Sequence, residues 1–391
     1  MRNRLSLYSI ISHQPRFVAF VLIFLLSACS SSEQDTSNNH QAFDPSAAVL
    51  KPTPELMPAP EIDAEQREKI DQYFSVHALT GRFSGVVLLA NSEGTFIKNY
   101  GYRNLKTQEP LELNDQFQLA SLSKPITAFG LLLLVDRGLI DLDSDLRDYL
   151  FDFPFENITV RSLLSHTSGM GNYLYITDSL WNNPDSFMTN EDMYELIRCD
   201  HLPRYYPPHK RFDYCNTNFA LIPVLIEEVT QQPFVEFMRV EVFESLGMVD
   251  TEYLQPMAQP SDAYPVQGHY PNGDLKRPFY LNGVVGDKSL YSTVYDLYKF
   301  YLELKNPTII SESILKESMK QHAKTSTNRF YGLGWRLTST ETNDTIVFHN
   351  GWWRGFRSYF WMDKHHEKVA IILTNSIRGG YLSQNEVWNM F

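Results

Sequence analysis

Segments with strand character stand near both ends of this chain, and helical patterns fill the middle. The first two, residues 83–90 and 95–102, flank a polar turn that contains a glycine, which predicts a β-hairpin. Further strand candidates follow at 335–337, 345–348, 356–362 and 369–374. Strands so far apart in sequence share one sheet when the chain between them folds as an insertion. We therefore predict an α+β fold with an antiparallel sheet from both chain ends, flanked by helices, and an inserted, mostly helical domain.

The helical patterns give this prediction approximate boundaries. A sheet subdomain is expected over about 63–118 and 286–391, and a helical subdomain over about 119–285. The predicted helices cover residues 63–77, 160–164, 193–197, 218–230, 233–246, 291–305 and a short segment near 383–390.

The first 29 residues have the features of a targeting segment rather than of a fold. Three arginines precede an apolar run over 17–26, which is too short to span a bilayer. The run ends in Leu-Ser-Ala-Cys, which resembles a bacterial lipobox, so we expect a lipoprotein signal peptide and lipidation of Cys29. Ser30, rather than an aspartate, follows the cysteine and favours sorting to the outer membrane. The alternatives are an ordinary signal peptide or an uncleaved anchor.

Residues 30–62 are rich in Ser, Asn, Gln and Pro, a composition that cannot bury a core, and we expect them to form a disordered tether. The folded domain is then 63–391, lipid-anchored in the cell envelope and facing the periplasm. The net charge of −12 and the absence of a basic stripe argue against a nucleic-acid partner. The sequence carries no signal for an oligomeric state.

The remaining cysteines, Cys199 and Cys215, could pair in an exported protein or stay free. Without histidines at ligand spacing they do not predict a zinc site, and no H-E-x-x-H motif occurs. The pair His365 and His366 reads as part of a solvated turn. We expect neither a metal nor a cofactor.

Ser121 and Lys124 form an S-x-x-K pair directly before the apolar run 125–134. Residues i and i+3 share a helix face, so the hydroxyl and the amine would lie together, and the apolar surroundings would desolvate the lysine. This arrangement predicts a nucleophile and its base. A second copy, Ser313 and Lys316, lies among charged residues in an amphipathic segment, and we interpret it as a chance match.

Two further motifs could complete a site around Ser121. No G-x-S-x-G motif supports a Ser-His-Asp triad. Tyr214 and Asn216 form the one Y-x-N pattern, of four in the chain, that directly precedes an apolar helix. His349 and Gly351 follow a strand candidate and form the only H-x-G pattern. A glycine there would let a substrate lie along the strand.

The order S-x-x-K, Y-x-N and H-x-G is similar to that of the serine β-lactamase and penicillin-binding-protein superfamily. More narrowly, the chain resembles the class C β-lactamase-related family of esterases, D-amino-acid peptidases and carboxypeptidases. Segments at 117–120, 163–169, 246–251 and 331–335 are also similar to that family. The resemblance covers about residue 63 to the end and implies a β-lactamase/transpeptidase-like fold. It also implies a serine hydrolase that acts on small-molecule or peptide esters or amides through an acyl-enzyme.

The resemblance assigns roles to individual residues. Ser121 would attack the acyl carbonyl, and Lys124 and Tyr214 would share the proton transfers. The backbone N–H groups of Ser121 and Trp352 would form the oxyanion hole. Asn216 would orient the substrate amide and Lys124.

Several positions depart from the family pattern, among them His349 and Lys288. His349 stands where a lysine is common and would be mostly neutral near pH 7, so we expect poor activity against penicillins. Lys288 and the serine after it replace a more flexible glycine pair.

Substrate binding is assigned to His349, Gly351, Trp352 and Asn216. The alternative function is a non-turnover penicillin-binding or sensor lipoprotein that keeps the fold, or a weak β-lactamase.

Overall fold

An eight-stranded antiparallel sheet organises the protein and brings the two ends of the folded chain together. We describe it from a computed structural model, which covers residues 61–181, 186–199, 202–253, 266–277, 279–339 and 344–391. The predicted signal peptide with Cys29, and all of the predicted tether up to residue 60, lie outside these residues.

The strands within the described residues are β1 (Gly85–Ala90), β2 (Thr95–Tyr100), β3 (Tyr102–Asn104), β4 (Glu109–Pro110), β5 (Phe117–Gln118), β6 (Glu252–Tyr253), β7 (Leu290–Ser292), β8 (Ala323–Ser326), β9 (Arg329–Tyr331), β10 (Arg336–Ser339), β11 (Thr345–Trp353), β12 (Phe356–Asp363) and β13 (Val369–Thr374). The large sheet has the order β2-β1-β13-β12-β11-β10-β9-β8. Its β1–β13 pairing joins the first strand of the domain to the last, so the predicted sheet from both chain ends is confirmed.

The α-helices are α1 (Ala64–Leu79), α2 (Ser123–Asp136), α3 (Val160–Leu164), α4 (Thr177–Leu180), α5 (Asn190–Arg198), α6 (Asn216–Thr230), α7 (Phe234–Met238), α8 (Val294–Lys305), α9 (Glu312–Ser318) and α10 (Gln384–Trp388). A 3-10 turn at Ala120–Leu122 leads into α2, and a π-helical segment at Arg239–Glu244 continues α7.

Both faces of the large sheet are covered, which explains why strands β1 and β13 are almost entirely apolar. Val86 and Leu88 of β1 join the larger core on the side of α2 and α8. Val87 and Leu89 point to the opposite face and join a smaller core with residues of α1 and α10. Because successive side chains of a strand point to opposite faces, a strand that is covered on both sides favours apolar residues at successive positions.

Helix α2 is the centre of the inserted helical region. Every residue from Ser123 to Leu134 is buried, as expected of a helix that is apolar on all sides. It packs against α6, so the N-termini of these two helices present the S-x-x-K and Y-x-N motifs to one another.

Some local structure differs from the sequence predictions. The helix expected over 291–305 begins at Val294, where the Thr293 side chain accepts a hydrogen bond from the Asp296 N–H, and the preceding residues form β7. The helix expected over 233–246 is divided between α7 and the π-helical segment. The strands β8 and β9 were not predicted, because these strands at the sheet edge are short and largely polar.

Candidate active site

Ser121 and Lys124 meet at the start of α2, as the S-x-x-K spacing predicts. Lys124 is fully buried, and its Nζ lies 3.2 Å from Ser121 Oγ. The amine also lies 2.8 Å from Asn216 Oδ1 and 2.8 Å from the backbone carbonyl of Asp287. A neutral amine can donate to these two oxygens and accept the Ser121 proton with its lone pair. The contacts therefore suit a base that points at the serine.

The backbone before Ser121 is held in an unusual conformation by close contact with β11. Ala120 has a φ of +52°, in the left-handed region that non-glycine residues seldom adopt. A Cβ at Gly351 of β11 would lie 2.0 Å from the carbonyl oxygen of Leu119. Only glycine permits this approach, which brings the strand edge beside the serine.

Tyr214 lies at the head of α6 and lines the same cavity as Ser121. Its ring centroid is 5.1 Å from Lys124 Nζ, and no described residue is a hydrogen-bond partner of its hydroxyl. The ring packs against His166 with centroids 4.4 Å apart. His166 Nδ1 accepts hydrogen bonds from the Cys215 N–H and the Asn218 side chain, both at 3.2 Å. Burial lowers the pKa of His166 well below its ordinary value, so it acts as a neutral support for the tyrosine loop.

The structure does not bring the His349 side chain to the cavity wall, which differs from its predicted substrate-binding role. The imidazole is fully buried, with Nε2 at 3.1 Å from the Tyr331 hydroxyl and Nδ1 at 2.9 Å from the Asn350 carbonyl. Burial, together with the charge of Arg336, holds the pKa of His349 well below its usual range. The imidazole is therefore neutral at pH 7 and supports the site from behind, 6.4 Å from the ring of Tyr214.

The site opens into a cavity of about 520 Å³. Ser121, Tyr214, Asn216, Gly351 and Trp352 all line it, so the structure brings these predicted residues together. Trp352 is 56% exposed and stands at the mouth, and the Lys124 side chain is buried beneath the serine.

Three cationic side chains, Lys288, Arg329 and Arg336, also line the cavity, with Asp287 as the one carboxylate residue. The Arg336 guanidinium carbon lies 4.8 Å from the centroid of the Tyr214 ring. No carboxylate of the described residues pairs with Arg336 or Arg329. The cavity is therefore suited to a ligand that carries a negative charge near Tyr214.

A largely buried network at the cavity wall was not predicted from the sequence. Lys288 is 3% exposed and donates to the Tyr173 hydroxyl, to the Val284 carbonyl at 3.3 Å and to Asp287 Oδ1 at 3.2 Å. Tyr173 in turn donates to the Asp287 carboxylate, whose own backbone carbonyl binds Lys124. The sequence showed that Lys288 replaces a glycine of the family pattern. It did not show its hydrogen-bond partner Tyr173, which lies on a segment that is distant in sequence.

Lys288 should give the protein a pH-dependent stability. Burial lowers its pKa from 10.5 to about 8, so above pH 8 the native state loses this proton while the unfolded chain keeps it. The unfolded state then binds more protons, and the free energy of unfolding rises with pH. Between pH 8 and 10, the wild type should gain on the order of 2 kcal/mol relative to Lys288→Met.

Urea unfolding at several pH values measures this difference. Lys324→Met, at an exposed lysine of β8, should show no pH-dependent difference from the wild type. A wild-type advantage over Lys288→Met that is constant or falls with pH would contradict the assignment.

The second S-x-x-K copy is separate from this site. Ser313 and Lys316 are exposed on α9, and Lys316 pairs with Glu312 at 2.8 Å. Cys199 and Cys215 are both free, the first exposed and the second buried, and burial raises the pKa of Cys215 to about 11. Within the described ranges there is no cluster of metal-ligating side chains, and no helix is long and apolar enough to span a bilayer.

Fold and site together define a member of the superfamily of β-lactamases and penicillin-binding proteins, which carry a serine and a lysine at the head of a buried helix. More specifically, the chain belongs to the Beta-lactamase family, whose model matches residues 67–382.

The relatives are similar over most of the domain. Penicillin-binding protein 4* of Bacillus subtilis is 28% identical over 330 residues, covering 79% of this chain and 72% of the relative. The structure of a penicillin-binding protein from Bacillus halodurans is 25% identical, with a TM-score of 0.72 over 84% of this chain and 100% of the other. The structure of D-amino acid amidase from Ochrobactrum anthropi is also 25% identical, with a TM-score of 0.68 over 80% of this chain and 92% of the amidase.

Proposed function

We propose that the protein is a serine hydrolase that cleaves ester or amide bonds of small molecules or peptides, including peptides of D-amino acids, through an acyl-enzyme. The observation that carries this proposal is the environment of the Lys124 amine. Two of the three polar contacts of Nζ are to Asn216 Oδ1 and the Asp287 carbonyl, and the third is to Ser121 Oγ. A residue that only filled space would not need a fully buried amine at this position.

The geometry supports a two-step reaction. In the first step Ser121 Oγ forms a bond to the acyl carbon while its proton passes to Lys124. The oxyanion accepts from the backbone N–H groups of Ser121 and Trp352, and the tetrahedral intermediate expels the amine or alcohol, which takes a proton from Lys124 or Tyr214. In the second step water attacks the ester, and Ser121 recovers its proton as the acid leaves. The division of proton transfer between Lys124 and Tyr214 remains a prediction.

The charges of the cavity favour a substrate with a free carboxylate. Arg336 lines the wall beside Tyr214 and has no carboxylate partner among the residues described, so its N–H donors are available to a ligand. Arg329 adds a second positive charge to the same wall. The similarity to a D-amino acid amidase and to penicillin-binding proteins adds support for a peptide with D-residues as the substrate class.

For the location of the protein we propose the cell envelope. The lipobox-like sequence that ends at Cys29 supports a lipid anchor in the outer membrane, and the polar segment after it supports a tether that holds the domain in the periplasm. Labelling with a radioactive fatty acid, compared between the wild type and Cys29→Ser, tests the anchor directly.

A substrate panel tests the proposed function. We expect multiple turnovers on aryl esters and on peptides that end in two D-alanines, and slow hydrolysis of a chromogenic cephalosporin.

A peptide with a free C-terminal carboxylate should have a higher kcat/KM than the matching C-terminal amide. Arg336→Gln should reduce this preference for the carboxylate by about 10- to 100-fold, mainly through KM. Lys324→Gln serves as the control, because this exposed lysine lies on the edge strand β8, outside the cavity wall.

Three results would contradict parts of this proposal. An unchanged preference in Arg336→Gln would remove the carboxylate assignment and leave the hydrolase proposal intact. A stable penicillin adduct without turnover of any ester or peptide would instead favour the non-turnover penicillin-binding alternative. Cephalosporin hydrolysis as fast as ester hydrolysis would show a β-lactamase.

A further inference from the structure

A second cavity, of about 580 Å³, lies between α9, the end of α8 and the strands β10 and β11. Its volume is in the range of small-molecule binding sites. Apolar side chains form its floor: Leu304, Leu315, Met319, Leu337 and Val347. Among the described residues, Leu337 alone lines both this cavity and the active-site cavity. The second cavity is therefore a separate place for a ligand.

The rim of this cavity is strongly cationic. Four lysines, Lys305, Lys316, Lys320 and Lys364, line it together with two histidines, against one acidic residue, Glu312. The whole chain has 34 basic and 46 acidic residues, so such a cluster departs from the overall charge. No carboxylate of the described residues pairs with Lys305 or Lys364.

Two of the four rim lysines have carboxylate partners, since Lys316 pairs with Glu312 at 2.8 Å and Lys320 with Glu317 at 2.7 Å. The other nearby carboxylates are engaged elsewhere. Asp363 accepts from the backbone N–H groups of the turn that follows β12, with His365 at 3.0 Å and Lys368 at 2.6 Å. Glu303 accepts from the N–H groups of the chain after α8. The Lys316–Glu312 pair is exposed, and such pairs contribute only about 0–1 kcal/mol. A ligand anion therefore meets little competition at Lys305 and Lys364.

An apolar floor under a cationic rim has the chemistry of a site for an anionic amphiphile. The floor removes an acyl chain from water, and burial of each CH₂ group contributes about 0.8 kcal/mol. Lysine ammonium groups at the rim suit a carboxylate or a phosphate head group. A neutral amphiphile would gain the burial of its acyl chain but not the charged contacts between its head group and the lysines.

We propose that this second cavity binds a single-chain anionic amphiphile, with its acyl chain on the apolar floor and its head group between Lys305 and Lys364. A fatty acid and a lysophospholipid share this chemistry.

Equilibrium binding of monomeric dodecanoate, dodecyl phosphate and 1-dodecanol to the wild-type chain tests the proposal. Calorimetry below the critical micelle concentration should show binding of both anions, with 1-dodecanol at least about tenfold weaker, as expected for the loss of charge-assisted hydrogen bonds. The double variant Lys305→Glu/Lys364→Glu should bind the anions at least about tenfold more weakly than the wild type. Met319→Trp, which fills the floor, should weaken binding of all three probes.

Lys69→Glu/Lys324→Glu is the matched control, since it makes the same net charge change at two exposed lysines outside the cavity. Ester hydrolysis and thermal unfolding, measured on each variant, establish that it is folded. Equal binding of 1-dodecanol and dodecanoate, or unchanged binding in the double variant, would overturn the proposal. Binding to anionic phospholipid vesicles without binding of the monomers would also overturn it, in favour of a membrane-facing surface. Preference for the phosphate over the carboxylate would support it with a lysophospholipid as the source.

Discussion

Replacing Ser121 by alanine is expected to lower kcat/KM for an aryl ester by at least about 10⁴-fold, since removing a nucleophile leaves only binding and oxyanion stabilisation. The hydroxyl is the one nucleophilic oxygen that lies both on the cavity wall and within 3.2 Å of the Lys124 amine among the described residues. Its removal leaves the fold in place, because the side chain is only partly buried. Steady-state kinetics and a thermal melt measure the two effects separately.

The chain provides its own control for this substitution. Ser313→Ala changes the serine of the second S-x-x-K copy, which is exposed on α9. It should leave kcat/KM within about twofold of the wild-type value, as surface substitutions rarely change the fold or a distant site. Equal losses in Ser121→Ala and Ser313→Ala, or activity retained in Ser121→Ala, would remove Ser121 from the proposed mechanism.

Lys124→Met is the second substitution for which we expect a large effect. It removes the group that accepts the Ser121 proton, and general-base catalysis contributes about 10²- to 10⁴-fold. It also leaves Asn216 Oδ1 and the Asp287 carbonyl without their 2.8 Å donor. Stopped-flow measurement of the acylation rate should show a fall of about 10³-fold, with deacylation slowed as well.

The second S-x-x-K copy again supplies the control. Lys316→Met should acylate at the wild-type rate, since Lys316 pairs with Glu312 on the surface. Lys124→Met with an acylation rate within tenfold of the wild type would show that Tyr214 alone serves as the base. Thermal unfolding of both variants separates a loss of catalysis from a loss of structure.

Much of the site could be predicted because its chemistry follows from local spacing. Ser121 and Lys124 lie one helical turn apart, so the helix itself brings them together. Tyr214 was distinguished from the other Y-x-N tyrosines by the apolar helix that follows it, and this position does place it on the cavity wall. Gly351 follows from the need for close approach of a strand, which its contact with Leu119 shows.

The parts that sequence did not predict depend on contacts between distant segments. The strand pattern placed His349 beside Gly351 but did not reveal that Tyr331, on another strand, encloses its imidazole. Asp287 contributes a backbone carbonyl to Lys124, and a carbonyl carries no signature in the amino-acid type. Lys288 attracted notice as a departure from glycine, yet its buried position depends on Tyr173, more than a hundred residues away.

Intact-protein mass spectrometry of the reaction quenched in acid tests the central claim most directly. During turnover of an aryl ester, we expect a mass increase equal to the acyl group, with proteolytic mapping that places it on Ser121. The adduct should be absent in Ser121→Ala and present in Ser313→Ala. An adduct on any other residue, or continued hydrolysis in Ser121→Ala without an adduct, would contradict an acyl-enzyme at this serine.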